Sequence, residues 1–91
     1  MFTICRSKDA HMCQSSYIDK NTWINLVAPS EEELQLISRE TGVLYDFLRY
    51  PLDDEERPRM EIEDDQIMTI IDIPNYDYAT STYDTMPMGI I

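Results

Sequence analysis

Four consecutive carboxylates, Asp53, Asp54, Glu55 and Glu56, are the densest chemistry in this sequence. Like charges in a row repel one another and prefer water. General acid and base work needs two carboxyl groups whose surroundings push their pKa values apart, and adjacent acids in a link between elements lack the burial that would do it. A second constellation is Cys5-x5-His11-x-Cys13. It offers three ligands of the kind zinc takes, but a structural zinc site wants four, at other spacings. With no signal peptide ahead of them, the two cysteines read as reduced cytosolic thiols. The sequence has one histidine, no Gly-rich phosphate loop, and no Ser-His-Asp or Cys-His arrangement with supporting context. The expectation is that the chain is not an enzyme.

The net charge of −11 over 91 residues narrows the partners. Phosphate backbones need Lys and Arg to displace their counterions, so nucleic acid is excluded. Adsorption to an anionic membrane surface is excluded for the same reason of sign. Divalent cations and basic protein surfaces fit. A hydrophobic content of 43% is enough for a core, and the length corresponds to a single domain over residues 1–91. The longest apolar stretch, residues 67–73, contains Thr69 and Asp72 and is far shorter than the ~18 residues a membrane helix needs.

The elements that must position these side chains follow in order. Phe2 and Ile4 alternate with Thr3 in a first strand, ending in a polar turn at Arg6-Ser7-Lys8-Asp9. Residues 11–19 offer a weakly patterned return. Residues 22–27 form a better strand, with Trp23, Asn25 and Val27 on one side and Ile24 and Leu26 on the other. Pro29 ends it. Ser30-Glu31-Glu32-Glu33 is a capping box: the Ser30 hydroxyl accepts from the Glu33 N–H, and the Glu33 side chain reaches back to the Ser30 N–H. The three glutamates also sit against the positive end of the helix dipole. Leu34, Ile37 and Thr41 share one helical face, and Gly42 is placed for a left-handed C-cap. Residues 43–51 read as a short second helix with Leu44, Phe47, Leu48 and Tyr50 as core, stopped by Pro51.

Residues 52–57 are the acidic link. Pro58 forces an extended backbone at Arg57 and so sets the entry to the next strand. There Met60 and Ile62 are expected inward, and Arg59, Glu61 and Glu63 outward; Arg57 and Arg59 read either as ion-pair partners of Glu61 or the acidic run, or, preferably, as positioning the link against the sheet. Asp64-Asp65 makes a tight reversal. Residues 67–73 are apolar on both sides, the pattern of a mid-sheet strand covered on both faces. Residues 75–85 read as a polar loop carrying tyrosines. The apolar pattern of Met86, Met88, Ile90 and Ile91 reads as a strand in which the chain is cut, near Ile91, ahead of a further covering layer. An apolar sheet face and a cut edge strand should make the chain self-associate. The fold class is α+β or α/β, a mixed sheet packed with helices.

Four pieces in order resemble the cytoplasmic N-terminal domain of the CorA family of magnesium transporters. They are Trp23-Ile24-Asn25-Leu26 with Pro29 and the Glu-rich helix start; Thr41-Gly42-Val43 with Asp46-Phe47-Leu48; Leu52-Asp53 with Glu56-Arg57-Pro58-Arg59 and Glu61; and the apolar strand closing at Ile73-Pro74. Together they extend over half the chain. The resemblance implies an α/β/α sandwich, here incomplete, on the cytoplasmic face of the cell membrane in a homopentamer. It implies a role in divalent-cation transport (Mg²⁺ or Co²⁺), in sensing, gating and assembly, with the membrane reached only through spans that lie beyond this chain.

The resemblance also implies a regulatory Mg²⁺ held by carboxylates at subunit interfaces. Some members place an acid in the second helix just ahead of the Leu52-Asp53 segment. Here that position is Tyr50, preceded by Arg49. The residues this leaves for an ion are Asp53, with Asp46 or Asp54. The same acids also read as a solvated link, or Asp53 as a cap on the next element. A free-standing acidic interaction module for a basic partner is the competing function.

Overall fold

A computed structural model describes residues 1–91. The chain divides into two compact units, Met1–Gly42 and Val43–Ile91. Together they hold two three-stranded antiparallel sheets and two helices. The class is α+β, as expected from the pattern of elements.

The first unit contains strands β1 (Phe2–Lys8), β2 (His11–Ser15) and β3 (Thr22–Leu26) and helix α1 (Glu31–Thr41), with strand order β2-β1-β3. β1 runs past the expected turn at residues 6–9. Arg6, Ser7 and Lys8 stay paired with Cys13, Met12 and His11, and the reversal falls at Asp9-Ala10. Both turn residues have positive φ, 51° and 64°, which matches the right-handed twist of a two-residue hairpin. An exposed polar ladder carries no apolar alternation, so its length is invisible to pattern. β2 stops at Ser15, whose hydroxyl accepts from the Tyr17 N–H in a local turn.

Register puts Phe2, Ile4, Ile24 and Leu26 on one face of this sheet and Thr3, Cys5, Trp23 and Asn25 on the other. The first set is buried or half-buried, whereas Trp23 is exposed. α1 has both expected caps. Ser30 accepts from the Glu33 N–H, Glu33 accepts from the Ser30 N–H, and Gly42 has φ 76° with its N–H donating to the Ser38 carbonyl. Leu34 and Ile37 are the buried residues of α1. Thr41, expected on the same face, is exposed and its hydroxyl turns back to the Ile37 carbonyl.

The second unit contains helix α2 (Tyr45–Arg49), a 3₁₀ turn (Tyr50–Leu52), and strands β4 (Arg59–Glu63), β5 (Gln66–Asp77) and β6 (Thr82–Ile90) in the order β4-β5-β6. α2 lacks a side-chain cap of its own. Its entry is tied to the start of β5 instead, the Leu44 N–H donating to Gln66 Oε1 at 2.9 Å. Phe47, Met68 and Ile70 form the core, with Val43, Leu44 and Tyr50 packed against it. Phe47, Met68 and Ile70 are almost wholly excluded from water, so truncating Phe47 alone would cost about 3–5 kcal/mol.

Three expectations for this unit are corrected. Met60 and Ile62 are exposed, and Arg59 and Glu61 are the half-buried residues of β4. The turn decides this. Asp64-Asp65 fixes Glu63 opposite Gln66, so Glu61 and Arg59 fall opposite Met68 and Ile70, on the side that the core occupies. Second, residues 75–85 are mostly strand. Pro74 pairs with Thr85 and Asp72 with Pro87, and the hairpin continues to Asp77 and Thr82. The β4 pairing ends at Ile70, so Pro74 lies where β5 has a free edge, and Pro87 lies on an edge strand. Both are positions that tolerate a missing N–H. Tyr76 packs edge-on against Tyr78 and against its cross-strand partner Tyr83, with ring centroids 4.7 and 4.8 Å apart. Third, β5 is central but covered on one side only. Met68 and Ile70 are buried, while Ile67 and Ile71 are exposed.

Candidate functional site

The acidic link leaves the 3₁₀ turn at Asp53. The Asp53 N–H donates to the Tyr50 carbonyl, and its own carbonyl accepts from the Glu56 N–H. Asp53 Oδ1 also accepts from the Glu55 N–H at 3.0 Å. Asp53 therefore builds the turn that carries Glu56 back toward β4, an Asx turn in which the side chain replaces a backbone acceptor. The sequence position also allowed a cap on the next element; the side chain instead closes a turn within the link, well ahead of β4.

Glu56 delivers its carboxylate to Arg59, at 2.7 Å from one terminal nitrogen. Glu61 Oε2 accepts from Arg59 Nε and lies 3.1 Å from the other terminal nitrogen. The guanidinium sits 5.0 Å from the centroid of the Tyr50 ring, in range for a cation–π contact. The hydrogen bond to Glu56, then that to Glu61, raises the Arg59 pKa further above its ordinary value. Arg59 is thus locked between two carboxylates and an aromatic face. Sequence reasoning sent it outward. Its pairing with Glu61 and with the acidic run is legible in the Glu56-x-x-Arg59-x-Glu61 spacing, whereas its facing is not.

Asp53, Asp54 and Asp46 are all exposed, Asp46 in the first turn of α2 and Asp54 next to Asp53 in the link. Arg57 is exposed, and Pro58 stands immediately ahead of β4. No three His, Cys, Asp or Glu side chains come together in a group that could hold a metal ion. Cys5 pairs with Gln14, whereas Cys13 pairs with Arg6 and His11 with Lys8. Register places Cys5 on the opposite face of the sheet from His11 and Cys13, so the three do not converge on one ion.

No helix is long and apolar enough to cross a membrane. Against known proteins, no family model matches and no solved structure matches. The chain is similar to the cobalt/magnesium transport protein CorA of Methanocaldococcus jannaschii, 32% identical over 60 residues. The similarity takes in 66% of this chain and 19% of that protein, so the chain spans about a fifth of the length of the curated relative it matches.

Proposed function

We propose that the chain is part of the cytoplasmic regulatory region of a CorA-like divalent-cation transporter, contributing to ion sensing, gating and assembly. The observation that supports this is the 60-residue similarity to the archaeal cobalt/magnesium transport protein. Within this reading the ion is Mg²⁺ or Co²⁺, and this chain conducts none of it alone. Asp53 is the first candidate for a regulatory ion, with Asp54 or Asp46. One of its oxygens is engaged in the turn, which leaves the other as a ligand. Carboxylates brought together from adjacent copies in a homopentamer would repel one another when the ion departs, a local charge change able to bias a two-state assembly.

The test is the coding sequence past Ile91. A long helix followed by two apolar spans, with Gly-Met-Asn at the end of the first, is the expected continuation. A stop codon there, or a continuation without apolar spans, would overturn the reading.

A further inference from the structure

The link between the 3₁₀ turn and β4 is held by few contacts. Across residues 53–58 every side chain is exposed except that of the half-buried Glu56, so burial of apolar surface does nothing to order it. Asp53, Asp54, Glu55 and Glu56 are carboxylates in a row, and their mutual repulsion favours an extended, solvated chain. Three hydrogen bonds and one ion pair oppose it. The Asp53 N–H donates to the Tyr50 carbonyl, the Glu56 N–H to the Asp53 carbonyl, and the Glu55 N–H to Asp53 Oδ1. The ion pair is Glu56 with Arg59, at 2.7 Å.

Both ends of the link are anchored. Ahead of it, the Pro51 ring of the 3₁₀ turn lies against Gly89 of β6. Behind it, Pro58 has a fixed φ, and β4 is paired along its length with β5. Movement is thereby confined to residues 53–57. Of the cations in this unit, Arg49 and Arg57 are exposed and make no ion pair. Arg59 alone fastens the link to its surroundings. Its guanidinium meets Glu56 of the link, Glu61 of its own strand and the Tyr50 ring of the 3₁₀ turn. A flat fork can make these contacts together, whereas the point charge of a lysine cannot reproduce them. Segments with few buried contacts open at less cost than the fold as a whole.

We propose that residues 53–57 are a strap that opens and closes as a unit while the Phe47 core stays folded, and that Arg59 is the residue that fastens it. In the closed state one Asp53 oxygen is turned in to the Glu55 N–H, and Glu56 is taken up by Arg59. The open state frees both Asp53 oxygens and the Glu56 carboxylate together. A cation that prefers these acids in one state draws the population toward that state. This regulatory meaning rests on the transporter reading; the strap itself does not.

The measurement is amide hydrogen exchange by NMR on the 91-residue chain, with no divalent ion added. The Asp53, Glu55 and Glu56 amides report the strap, and those of Met68 and Ile70 report the core. Low urea should leave the protection of the strap amides unchanged, because a local opening exposes little surface, while protection in the core falls. Arg59→Gln should lower strap protection about fivefold, and by more than it lowers the core's. Arg59→Lys should restore only part of that loss. Glu56→Gln leaves Arg59 its contacts with Glu61 and Tyr50, so it tests the same fastening even where Arg59→Gln fails to fold. It should act as Arg59→Gln does, and the double variant should add little to either. Strap amides without protection in the wild type, strap and core amides losing protection together in urea, or strap protection indifferent to both replacements would overturn the proposal. A stop codon past Ile91 would end the transporter reading and leave these exchange results as they stand.

Discussion

The ring of Pro51 occupies the space into which a Cβ on Gly89 would project. The 3₁₀ turn and β6 therefore touch through a residue that must lack a side chain. Gly89 pairs with Ile70, one of the buried core residues, so the strand cannot move aside without disturbing the core. Gly89→Ala should destabilise by about 1–3 kcal/mol, the usual range for overpacking. Chemical denaturation would measure it. Pro51→Ala in the same background should recover much of the loss, giving a coupling that a double-mutant cycle detects. Simple additivity of the two changes would show that the contact does not limit the packing.

Gly42 presents the opposite case. Nothing lies within 4 Å of where its Cβ would be, but its φ is 76°. The penalty of Gly42→Ala is therefore conformational, about 1 kcal/mol, and no second-site truncation should relieve it. Gly42→Asn should cost less than Gly42→Ala, because Asn enters the left-handed region more readily. A melting-temperature series over wild type and the two variants checks the order, at roughly 4–8 °C per kcal/mol for a chain of this size.

How far these features were legible in the sequence depends on how local their causes are. The α1 caps and the Asp64-Asp65 reversal are set by side chains within a few residues, and the sequence displays them directly. The facing of β4 is not local. It depends on which face of β5 the core takes, and β5 is apolar on both, so Met60 and Ile62 carry no preference of their own. Pro74 misled for a related reason: a proline breaks a sheet only where a neighbouring strand needs its N–H, and the β4 side of β5 is already a free edge past Ile70. At the candidate site, the pairing of Arg59 with Glu61 and with the acidic run was open to reading from their spacing. The half-burial of Arg59 was not, because it depends on the facing of β4, and the turn at Asp53 was not, because an exposed acid in a link reads equally as a solvated charge or a cap.

Glu33 gives the chain a pH-dependent contact. Its carboxylate lies 2.8 Å from the Met1 amine and also accepts from the Ser30 N–H. The amine hydrogen bond first, and the Ser30 N–H second, hold its pKa below the ordinary 4.5. A folded-state pKa lower than the unfolded one means the stabilisation is complete above about 4.5 and is lost as pH falls through the lower folded value. Glu33→Gln keeps the capping acceptor and removes the charge. Its melting temperature should lie below wild type near neutral pH, and the two should converge as pH falls below the lowered folded-state value. A constant gap across that range would contradict the assignment.

The Asp64-Asp65 turn holds both residues in the left-handed region, at φ 51° and 59°, where an L side chain is strained. The same turn concentrates charge, since Glu63 adjoins it. Two causes therefore weigh on Asp65, and two substitutions separate them. Asp65→Asn removes the charge and leaves the left-handed conformation to a residue about as tolerant of it. Asp65→Gly removes both, and gives the Asp-Gly pair that two-residue hairpins favour. The glycine variant gains from relief of strain and loses some to the greater freedom of its unfolded chain, for a net of about 0.5–1 kcal/mol in favour of folding. The expected order of melting temperatures is Asp65→Gly above Asp65→Asn above wild type. Because the turn fixes the register that places Arg59 and Glu61 on the core side, Asp65→Gly should also leave the Arg59 clamp intact. The chemical shift of the Arg59 Nε proton, followed by NMR in the glycine variant, would report it. Loss of that signal together with a gain in stability would mean that the turn can be stabilised in a different register.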